Sequence, residues 1–249
     1  MASILKTFRI SKNFGALQAV ADVTMEVVHG TVHGIIGPNG AGKTTLLNLI
    51  TGFIKPSAGR IYFKERDITN YGPHKISKIG IGRSFQITNV FSELSVLENV
   101  RIAAQSRTPL SYRFFADSDK LSRLEDEAIS VLEKVGLAGR ASLPAKHLPH
   151  GEKKIVDVAI ALATKPSLLL LDEPTAGLVG DEVTRIADLI RSIANEVTVV
   201  LVEHNVDVVL SICDLVTVLH YGSVIAEGTP KEIRTNKKVQ EVYLGESQC

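Results

Sequence analysis

The octapeptide from Gly37 to Thr44 is the feature that most constrains how this chain can fold. It reads Gly-Pro-Asn-Gly-Ala-Gly-Lys-Thr, which fits the phosphate-binding P-loop pattern of a glycine, four residues and Gly-Lys-Ser/Thr. The stretch 31–36 before it is short and mostly apolar, as in a buried strand, and 45–50 carries apolar side chains at helical spacing. Because this motif requires a strand, a glycine loop and a helix in that order, the sequence predicts a P-loop nucleotide fold.

The residue types in this loop suit the chemistry of phosphate binding. Glycines let backbone N–H groups curve around a phosphate chain, and the new helix presents its positive end to the anion. We expect Lys43 to reach the β- and γ-phosphates and the Thr44 hydroxyl to bind Mg²⁺. A plain glycine turn is the alternative, but all four fixed positions and both flanks favour the P-loop. The predicted nucleotide-binding residues are Gly37, Pro38, Asn39, Gly40, Ala41, Gly42, Lys43, Thr44 and Thr45.

Composition and charge exclude several classes of protein. The chain has 249 residues, enough for a substantial core, and its formal net charge of +1 argues against a nucleic-acid binder that works by bulk electrostatics. No apolar run reaches the length of a membrane-spanning helix, and the first residues lack the apolar core of a signal peptide. The two cysteines, Cys213 and Cys249, are far apart. We expect a reducing compartment, the cytoplasm, with Cys213 as a buried core thiol.

The pattern along the chain predicts three parts within a single domain, 1–249. Short strands at 4–10, 23–28 and 60–63 predict a small antiparallel sheet, with a loop at 11–15 between the first two. The chain then turns helical, which predicts a helical subdomain inserted at about 92–164. Alternating strands and helices follow. The predicted fold class is α/β: a P-loop NTPase core with a mostly parallel sheet, an N-terminal antiparallel β subdomain and the inserted helical subdomain.

Two adjacent acids follow an apolar strand at 168–171. In a P-loop enzyme, Asp172 is expected to hold Mg²⁺ opposite Thr44, directly or through water, and Glu173 to orient or deprotonate an attacking water. Taken alone, the pair is equally consistent with a charge cluster at a helix N-terminus. Beside an intact P-loop, the metal and water roles are the better interpretation.

The order of these motifs resembles the ATP-binding subunit of ABC transporters, from Phe14 to the hairpin after His220. That resemblance implies that Phe14 stacks on adenine and that His204 contacts the γ-phosphate. It also implies that Gln86 senses Mg²⁺ and water and contacts the membrane partner. Alternatives from the residues alone are a loop phenylalanine that caps the core for Phe14 and a surface or capping histidine for His204, while a single glutamine is uninformative.

The signature segment departs from the family pattern. The usual form is Leu-Ser-Gly-Gly-Gln, whereas residues 148–152 read Leu-Pro-His-Gly-Glu. Pro149 lacks the serine hydroxyl and a backbone donor. Gly151 and the helix start still imply backbone N–H groups facing the ATP of a second subunit. Val179 stands where the family commonly carries Asp or Asn. The resemblance therefore implies intact ATP binding, and the two departures bear on hydrolysis and on coupling between the two sites.

Within the family, residues 85–100, the insert around 107–109 and the ending 242–246 are similar to importers of branched-chain amino acids. The pair His150-Gly151 is similar to urea-importing relatives, so urea or short amides are the second candidate. The resemblance implies ATP and Mg²⁺ as cofactors and a location on the cytoplasmic face of the inner membrane. It further implies a homodimer or a heterodimer with a second ATP-binding subunit, integral membrane permease subunits and, indirectly, a periplasmic or extracellular solute-binding protein. No nucleic acid is expected.

Two other classes of function fit these motifs less well. Soluble ABC-type ATPases that act on DNA, ribosomes or cluster assembly usually carry long coiled coils or two nucleotide domains, and neither pattern is present here. A P-loop kinase or GTPase is disfavoured because the chain has no Asn-Lys-x-Asp motif for reading guanine. The transporter ATPase therefore explains the motifs best.

Overall fold

The computed structural model describes residues 2–84, 90–107 and 118–246. Within these ranges no helix is both long and apolar enough to cross a membrane. The strands are β1 (Ser3–Phe14), β2 (Leu17–Val28), β3 (Val32–Ile36), β4 (Ala58–Phe63), β5 (Arg66–Asp67), β6 (Ile81–Arg83), β7 (Leu168–Asp172), β8 (Thr198–Val202), β9 (Leu215–His220) and β10 (Ser223–Gly228). The helices are α1 (Lys43–Ile50), α2 (Pro73–Lys78), α3 (Val96–Gln105), α4 (Ser118–Lys134), α5 (His150–Ala163), α6 (Asp181–Ala194), α7 (Val206–Ile212), α8 (Pro230–Thr235) and α9 (Lys237–Glu246).

Two sheets form the frame of the molecule. A four-stranded antiparallel sheet has the order β2-β1-β4-β5, and a six-stranded sheet has the order β10-β9-β3-β8-β7-β6. The pairs from β9 to β6 are parallel, and only the edge pair of β9 and β10 is antiparallel. The predicted fold class, with a mostly parallel core and an N-terminal antiparallel sheet, is confirmed. The division of the chain into one domain with a subdomain at about 92–164 stays a prediction.

The central strands are apolar throughout because both faces of the sheet are covered. All five residues of β7 and all five of β8 are buried. Leu169 and Leu171 pack into a core with helices α3 to α6, whereas Leu168 and Leu170 pack into a second core beneath the antiparallel sheet. Side chains alternate between the faces of a strand, so a strand that feeds two cores must carry a continuous apolar run.

Helix α4 buries one apolar face. On α4, Leu124, Ala128 and Leu132 are buried, and the chain turns after it at Gly136, whose φ is +72°. The Leu137 amide donates to the Leu132 carbonyl oxygen at 2.8 Å, which closes the helix end in the usual glycine-dependent way. Cys213 is buried, as predicted, and burial raises the pKa of its thiol to about 12.

The loop predicted at 11–15 is wrong in its extent. β1 continues to Phe14, and β2 begins at Leu17, so only a two-residue turn separates them. Phe14 pairs with Leu17 and Asn13 with Gln18, with register shifts between Ile10 and Asn13. Backbone pairing between the two strands extends the hairpin through the polar residues at 11–13, although their side chains give no alternating pattern.

A buried amide fixes the segment that leads into α3. The Asn99 side chain is 2% exposed; its Oδ1 accepts from the Phe91 amide at 2.8 Å, and its Nδ2 donates to the carbonyl oxygens of Phe91 at 3.1 Å and Ser95 at 2.8 Å. Ser95 in turn caps α3, because its hydroxyl accepts from the Glu98 amide. Asn99 therefore satisfies backbone groups that would otherwise be buried without partners.

We predict that Asn99→Ala lowers the free energy of unfolding by about 1–3 kcal/mol, because it leaves buried backbone groups unpaired. Denaturant unfolding of the purified chain measures this difference. The control is Asn195→Ala at an exposed position after α6, expected to change stability by less than about 0.5 kcal/mol. Equal effects of the two substitutions would contradict the role of Asn99.

Candidate functional site

The predicted site residues gather at one edge of the six-stranded sheet. The P-loop follows β3, Asp172 and Glu173 stand at the end of β7, and Glu203 and His204 follow β8. These three strands are parallel neighbours, so their carboxyl ends meet at the same edge, where ligands of such sheets bind. The Glu173 amide donates to the Val202 carbonyl oxygen at 2.8 Å, which ties the acidic end of β7 to the end of β8.

Two glycines of the P-loop lie against neighbouring backbone. Gly37 has a φ of +153°, and a Cβ there would lie 2.2 Å from the carbonyl oxygen of Leu219 in β9. Gly42 has a φ of +100°, and a Cβ there would lie 2.5 Å from the carbonyl oxygen of Ala19 in β2. Both positions therefore require glycine for conformation and for space. The loop is wedged between the two sheets.

A single cavity of about 430 Å³ contains most of the predicted nucleotide-binding residues. Lys43 lies in it, 5% exposed, with its Nζ donating to the carbonyl oxygens of Gly37 at 2.6 Å and Pro38 at 2.9 Å. The lining residues are Phe14, Leu17, Ala19, Asn39, Gly40, Ala41, Gly42, Lys43, Thr44, Thr45, Glu173 and His204. The sequence interpretation missed Leu17 and Ala19, since no motif marks the tip of the hairpin. Gly37, Pro38, Gly151 and Asp172 are not among the lining residues, and Gln86 lies outside the described residues.

Phe14 stands at the mouth of the cavity. It belongs to neither hydrophobic core, and 49% of the residue is exposed. Its register partner Leu17 is 66% exposed, and the Lys12 Nζ lies 5.1 Å from the Phe14 ring centroid. An exposed ring beside an aliphatic side chain and a cation offers a flat apolar surface on which a planar ring could stack.

Glu173 and His204 both line the cavity and contact each other. The His204 Nε2 lies 2.5 Å from the Glu173 Oε1, with the Glu173 side chain 8% exposed and that of His204 43% exposed. Glu173 also has a φ of +51°, which an L-residue adopts only when its surroundings enforce it. The pair can pass a proton between a buried carboxylate and a partly exposed imidazole, or hold a polar group between them.

Glu203 is a buried acid whose role the sequence interpretation missed. It is 2% exposed, and its Oε1 accepts from the amide and the hydroxyl of Thr175, both at 2.7 Å. Its Oε2 accepts from the His204 amide at 3.2 Å. Burial raises the pKa of Glu203 above its ordinary value, the hydrogen bonds from Thr175 and His204 oppose the change, and the charge of Glu173 adds to it. Glu203 therefore links the loop after β7 to His204.

Asp172 is the residue of this edge that is best suited to a cation. It is 1% exposed, its Oδ2 accepts from the Arg83 Nη2 at 2.8 Å, and its Oδ1 is buried with no hydrogen-bond partner among the described residues. A buried carboxylate oxygen without a donor fits Mg²⁺, which prefers oxygen ligands. In the described ranges no three His, Cys, Asp or Glu side chains gather around a common point.

The signature segment lies away from the cavity. Pro149 is the N-cap of α5 and Gly151 is in its first turn, where a Cβ would lie 2.6 Å from the Glu182 Oε1. Val179, in the loop before α6, is 79% exposed. The start of α5 has backbone N–H groups without partners inside the helix, and none of residues 148–152 lines the cavity.

Comparisons with known proteins agree with this geometry. The chain matches the family model described as "ABC transporter" over residues 20–176 and the one described as "Branched-chain amino acid ATP-binding cassette transporter" over residues 223–248. It is 38% identical to the high-affinity branched-chain amino acid transport ATP-binding protein BraF of Pseudomonas aeruginosa, with 98% of each chain covered.

Solved structures show the same architecture. A structure of an ATP-binding cassette of an ABC transporter in its ADP conformation superposes with a TM-score of 0.87 at 34% identity, covering 98% of this chain and 100% of that one. A dimeric bacterial ABC transporter cassette superposes with a TM-score of 0.78 at 27% identity, covering 91% of this chain and 98% of that one.

We predict that Glu203→Gln gains stability relative to the unchanged chain as the pH rises from about 4.5 upward. A carboxyl group whose pKa is higher in the folded state favours folding when protonated, and this contribution is lost as the pH rises through the folded pKa. The size of the gain measures the difference in proton affinity between the folded and unfolded states, with about 1.4 kcal/mol for each tenfold difference.

The measurement is denaturant unfolding of both proteins between pH 4 and about 8, the range in which most native proteins are stable. Glu133→Gln, at an exposed position on α4, is the control for changes in net charge. A difference between Glu203→Gln and the unchanged chain that stays constant over this range, or that falls as the pH rises, would contradict the raised pKa.

Proposed function

Because this chain belongs to the ABC transporter family of ATP-binding proteins, we propose that it hydrolyses ATP in the described cavity to power import of branched-chain amino acids through a separate membrane permease. The observation that supports this most is the single cavity that unites Asn39–Thr45 of the P-loop with Phe14, Glu173 and His204. One pocket thus offers a phosphate cradle, an exposed aromatic ring and a polar pair.

In this proposal the P-loop holds the nucleotide. The backbone N–H groups of 37–45 surround the phosphates, and Lys43 leaves the carbonyl oxygens of the loop to pair with the β- and γ-phosphate oxygens. Phe14 stacks on the adenine. The exposed edge of Leu17 extends that apolar surface.

Mg²⁺ would be held by the Thr44 hydroxyl and by Asp172, whose Oδ1 is buried with no hydrogen-bond partner in the part of the chain that the structure describes. When bound, the ion neutralises charge on the phosphate oxygens as the phosphoryl group is transferred. Gln86, which lies outside the described residues, is proposed as a further ligand and as the contact to the permease.

Glu173 is the proposed catalytic carboxylate and His204 its partner at the γ-phosphate. The hydrolytic water needs an acceptor for its proton and a fixed position, and Glu173 is held in place by its backbone bond to Val202 and by the 2.5 Å contact with His204. When the γ-phosphate draws His204 towards itself, Glu173 accepts the proton of the hydrolytic water. The Glu203 carboxylate fixes the His204 backbone by accepting a hydrogen bond from the His204 amide.

The active assembly is proposed to be a dimer with a second ATP-binding subunit, either a copy of this chain or a related one. The start of α5 with Gly151 would then face the phosphates held by the partner subunit's P-loop. A solved relative is itself a dimeric cassette, which supports this arrangement. The assembly would lie on the cytoplasmic face of the inner membrane, bound to permease subunits that receive solute from a periplasmic or extracellular binding protein.

Branched-chain amino acids are the proposed solutes because the similarity extends to both ends of the chain. Residues 223–248 match a model specific to branched-chain amino acid transporters, and a named relative of that function covers 98% of the chain. The pair His150-Gly151 supports urea or short amides as the second candidate.

We predict that Glu173→Gln keeps nucleotide affinity and lowers the turnover of ATP by about 100-fold or more, because it removes the proton acceptor and leaves the phosphate site intact. Binding of a fluorescent nucleotide, phosphate release and gel filtration with ATP are the measurements, and the variant should accumulate as an ATP-bound dimer. Lys43→Ala is the matched control, expected to weaken nucleotide binding by roughly tenfold or more. Full turnover in Glu173→Gln would rule out Glu173 as the catalytic carboxylate.

A second prediction concerns the solute. Deletion of the gene from the source organism should abolish uptake of labelled leucine, isoleucine and valine and leave urea uptake unchanged. The wild-type gene should restore uptake, and the Glu173→Gln gene should not, because transport requires hydrolysis. Loss of urea uptake alone would support the amide alternative. Unchanged uptake of all these solutes would favour a soluble ATPase not coupled to transport.

A further inference from the structure

Arg83 is a buried cation that joins three parts of the nucleotide-binding core. It is the last residue of β6, and 8% of its side chain is exposed. Its Nη2 donates to the Asp172 Oδ2 at 2.8 Å, and its Nη1 donates to the Asn48 Oδ1 at 2.7 Å and lies 3.2 Å from the Thr51 Oγ1. Asn48 and Thr51 belong to the helix that begins at Lys43 and to its C-cap. The guanidinium therefore connects the end of β7 to the helix of the P-loop.

Arg83 donates to the Oδ2 of Asp172 and not to the Oδ1. A carboxylate that is 1% exposed would be strongly unfavourable as an anion without a compensating charge, and Arg83 provides it. One arm of the guanidinium, Nη2, holds the Oδ2, and the other arm, Nη1, is held by Asn48 and Thr51, so the Oδ2 has a fixed position relative to the helix of the P-loop. The Oδ1, which is buried and has no hydrogen-bond partner among the described residues, is thereby oriented as well.

Ser84, next to Arg83, fixes the backbone that carries Asp172. The Ser84 amide donates to the Leu170 carbonyl oxygen at 2.9 Å, and the Ser84 hydroxyl accepts from the Asp172 amide at 3.4 Å. The side chain of Arg83 thus holds the Asp172 carboxylate, the hydroxyl of Ser84 holds the Asp172 amide, and Asn48 of α1 holds the guanidinium.

We infer that Arg83 is a positioning residue for Mg²⁺: it holds the Oδ2 of Asp172 so that the Oδ1 is presented to the metal, and Asn48 and Thr51 fix Arg83 to the helix of the P-loop. This inference rests on the proposed role of Asp172 as a metal ligand. Residues that orient a metal ligand typically contribute 10–100-fold to metal affinity, about the size of effect that Arg83 should show. Lysine cannot replace it, because a single ammonium group does not span the acceptors on α1 and on Asp172 together.

The test measures nucleotide affinity with excess Mg²⁺ and with EDTA, together with the Mg²⁺ concentration that gives half of the increase in affinity. In Arg83→Gln we expect that concentration to rise about 10–100-fold, while affinity in EDTA stays as in the unchanged protein, because the P-loop donors are untouched. For Arg83→Lys we expect a half-effective Mg²⁺ concentration between those of the unchanged protein and Arg83→Gln. A loss of affinity of equal size with and without Mg²⁺ would show a merely structural role and overturn the inference.

Variants outside the ion pair keep the test informative if Arg83→Gln does not fold. Asn48→Ala and Thr51→Val remove acceptors of the Arg83 Nη1 without changing the charge on either partner, and each should raise the half-effective Mg²⁺ concentration by about 2–10-fold, less than the loss of Arg83 itself. Values equal to that of the unchanged protein for both variants and for Arg83→Lys would overturn the inference.

Asp172→Asn separates this inference from the proposed metal site. If the unchanged protein shows no effect of Mg²⁺, or if Asp172→Asn retains the full effect, the metal assignment fails and the inference fails with it. If Asp172→Asn loses the effect and the Arg83 variants keep it, only the role of Arg83 is overturned.

Discussion

The candidate site depends on the parallel pairing of β7, β8 and β3. The hydrogen-bond ladder continues past the ends of the strands. The Glu173 amide donates to the Val202 carbonyl oxygen, and the Glu203 amide donates to the Ile35 carbonyl oxygen at 3.4 Å. The acids and the histidine are therefore held by sheet geometry and not by mobile loops. Such pairing is stable only when both faces are covered, which explains why these strands feed two separate hydrophobic cores.

Because the strands are covered on both faces, the acidic groups at their ends are buried beside apolar side chains. Each acidic group has a different ion-pair or hydrogen-bond partner. Asp172 is paired with Arg83, Glu173 contacts His204, and Glu203 accepts hydrogen bonds from Thr175 and from the His204 backbone. The charge of Glu173 still contributes to the raised pKa of Glu203, so the compensation is incomplete. Buried charges of this kind contribute little net stability and are retained where position matters, as expected for a site that works by placing charges around phosphate.

Local patterns predicted most of this arrangement, and the failures involve partners distant in sequence. The predicted strands at 31–36 and 168–171 and the helical spacing at 45–50 agree with β3, β7 and α1, because apolar periodicity is a local signal. Arg83 was missed because its partner Asp172 lies 89 positions away and a lone arginine before a loop has no pattern. The strands predicted around Phe14 and Leu17 are too short. Backbone pairing determines the length of this hairpin, and the side chains do not reveal that pairing.

The departures in the signature segment can be weighed against this geometry. Pro149 has a φ of −56°, the value that proline fixes and that a helix start accepts, so α5 keeps its first turn and the N–H groups that point out of it. What is lost is a hydroxyl and one N–H; what remains is the helix dipole, with Glu152 in the first turn paired to Arg140 at 3.3 Å. Neither Pro149 nor Val179 lines the cavity. In the proposed dimer we therefore expect them to act between subunits, on hydrolysis and coupling, while the affinity of one subunit for its own nucleotide depends on the P-loop.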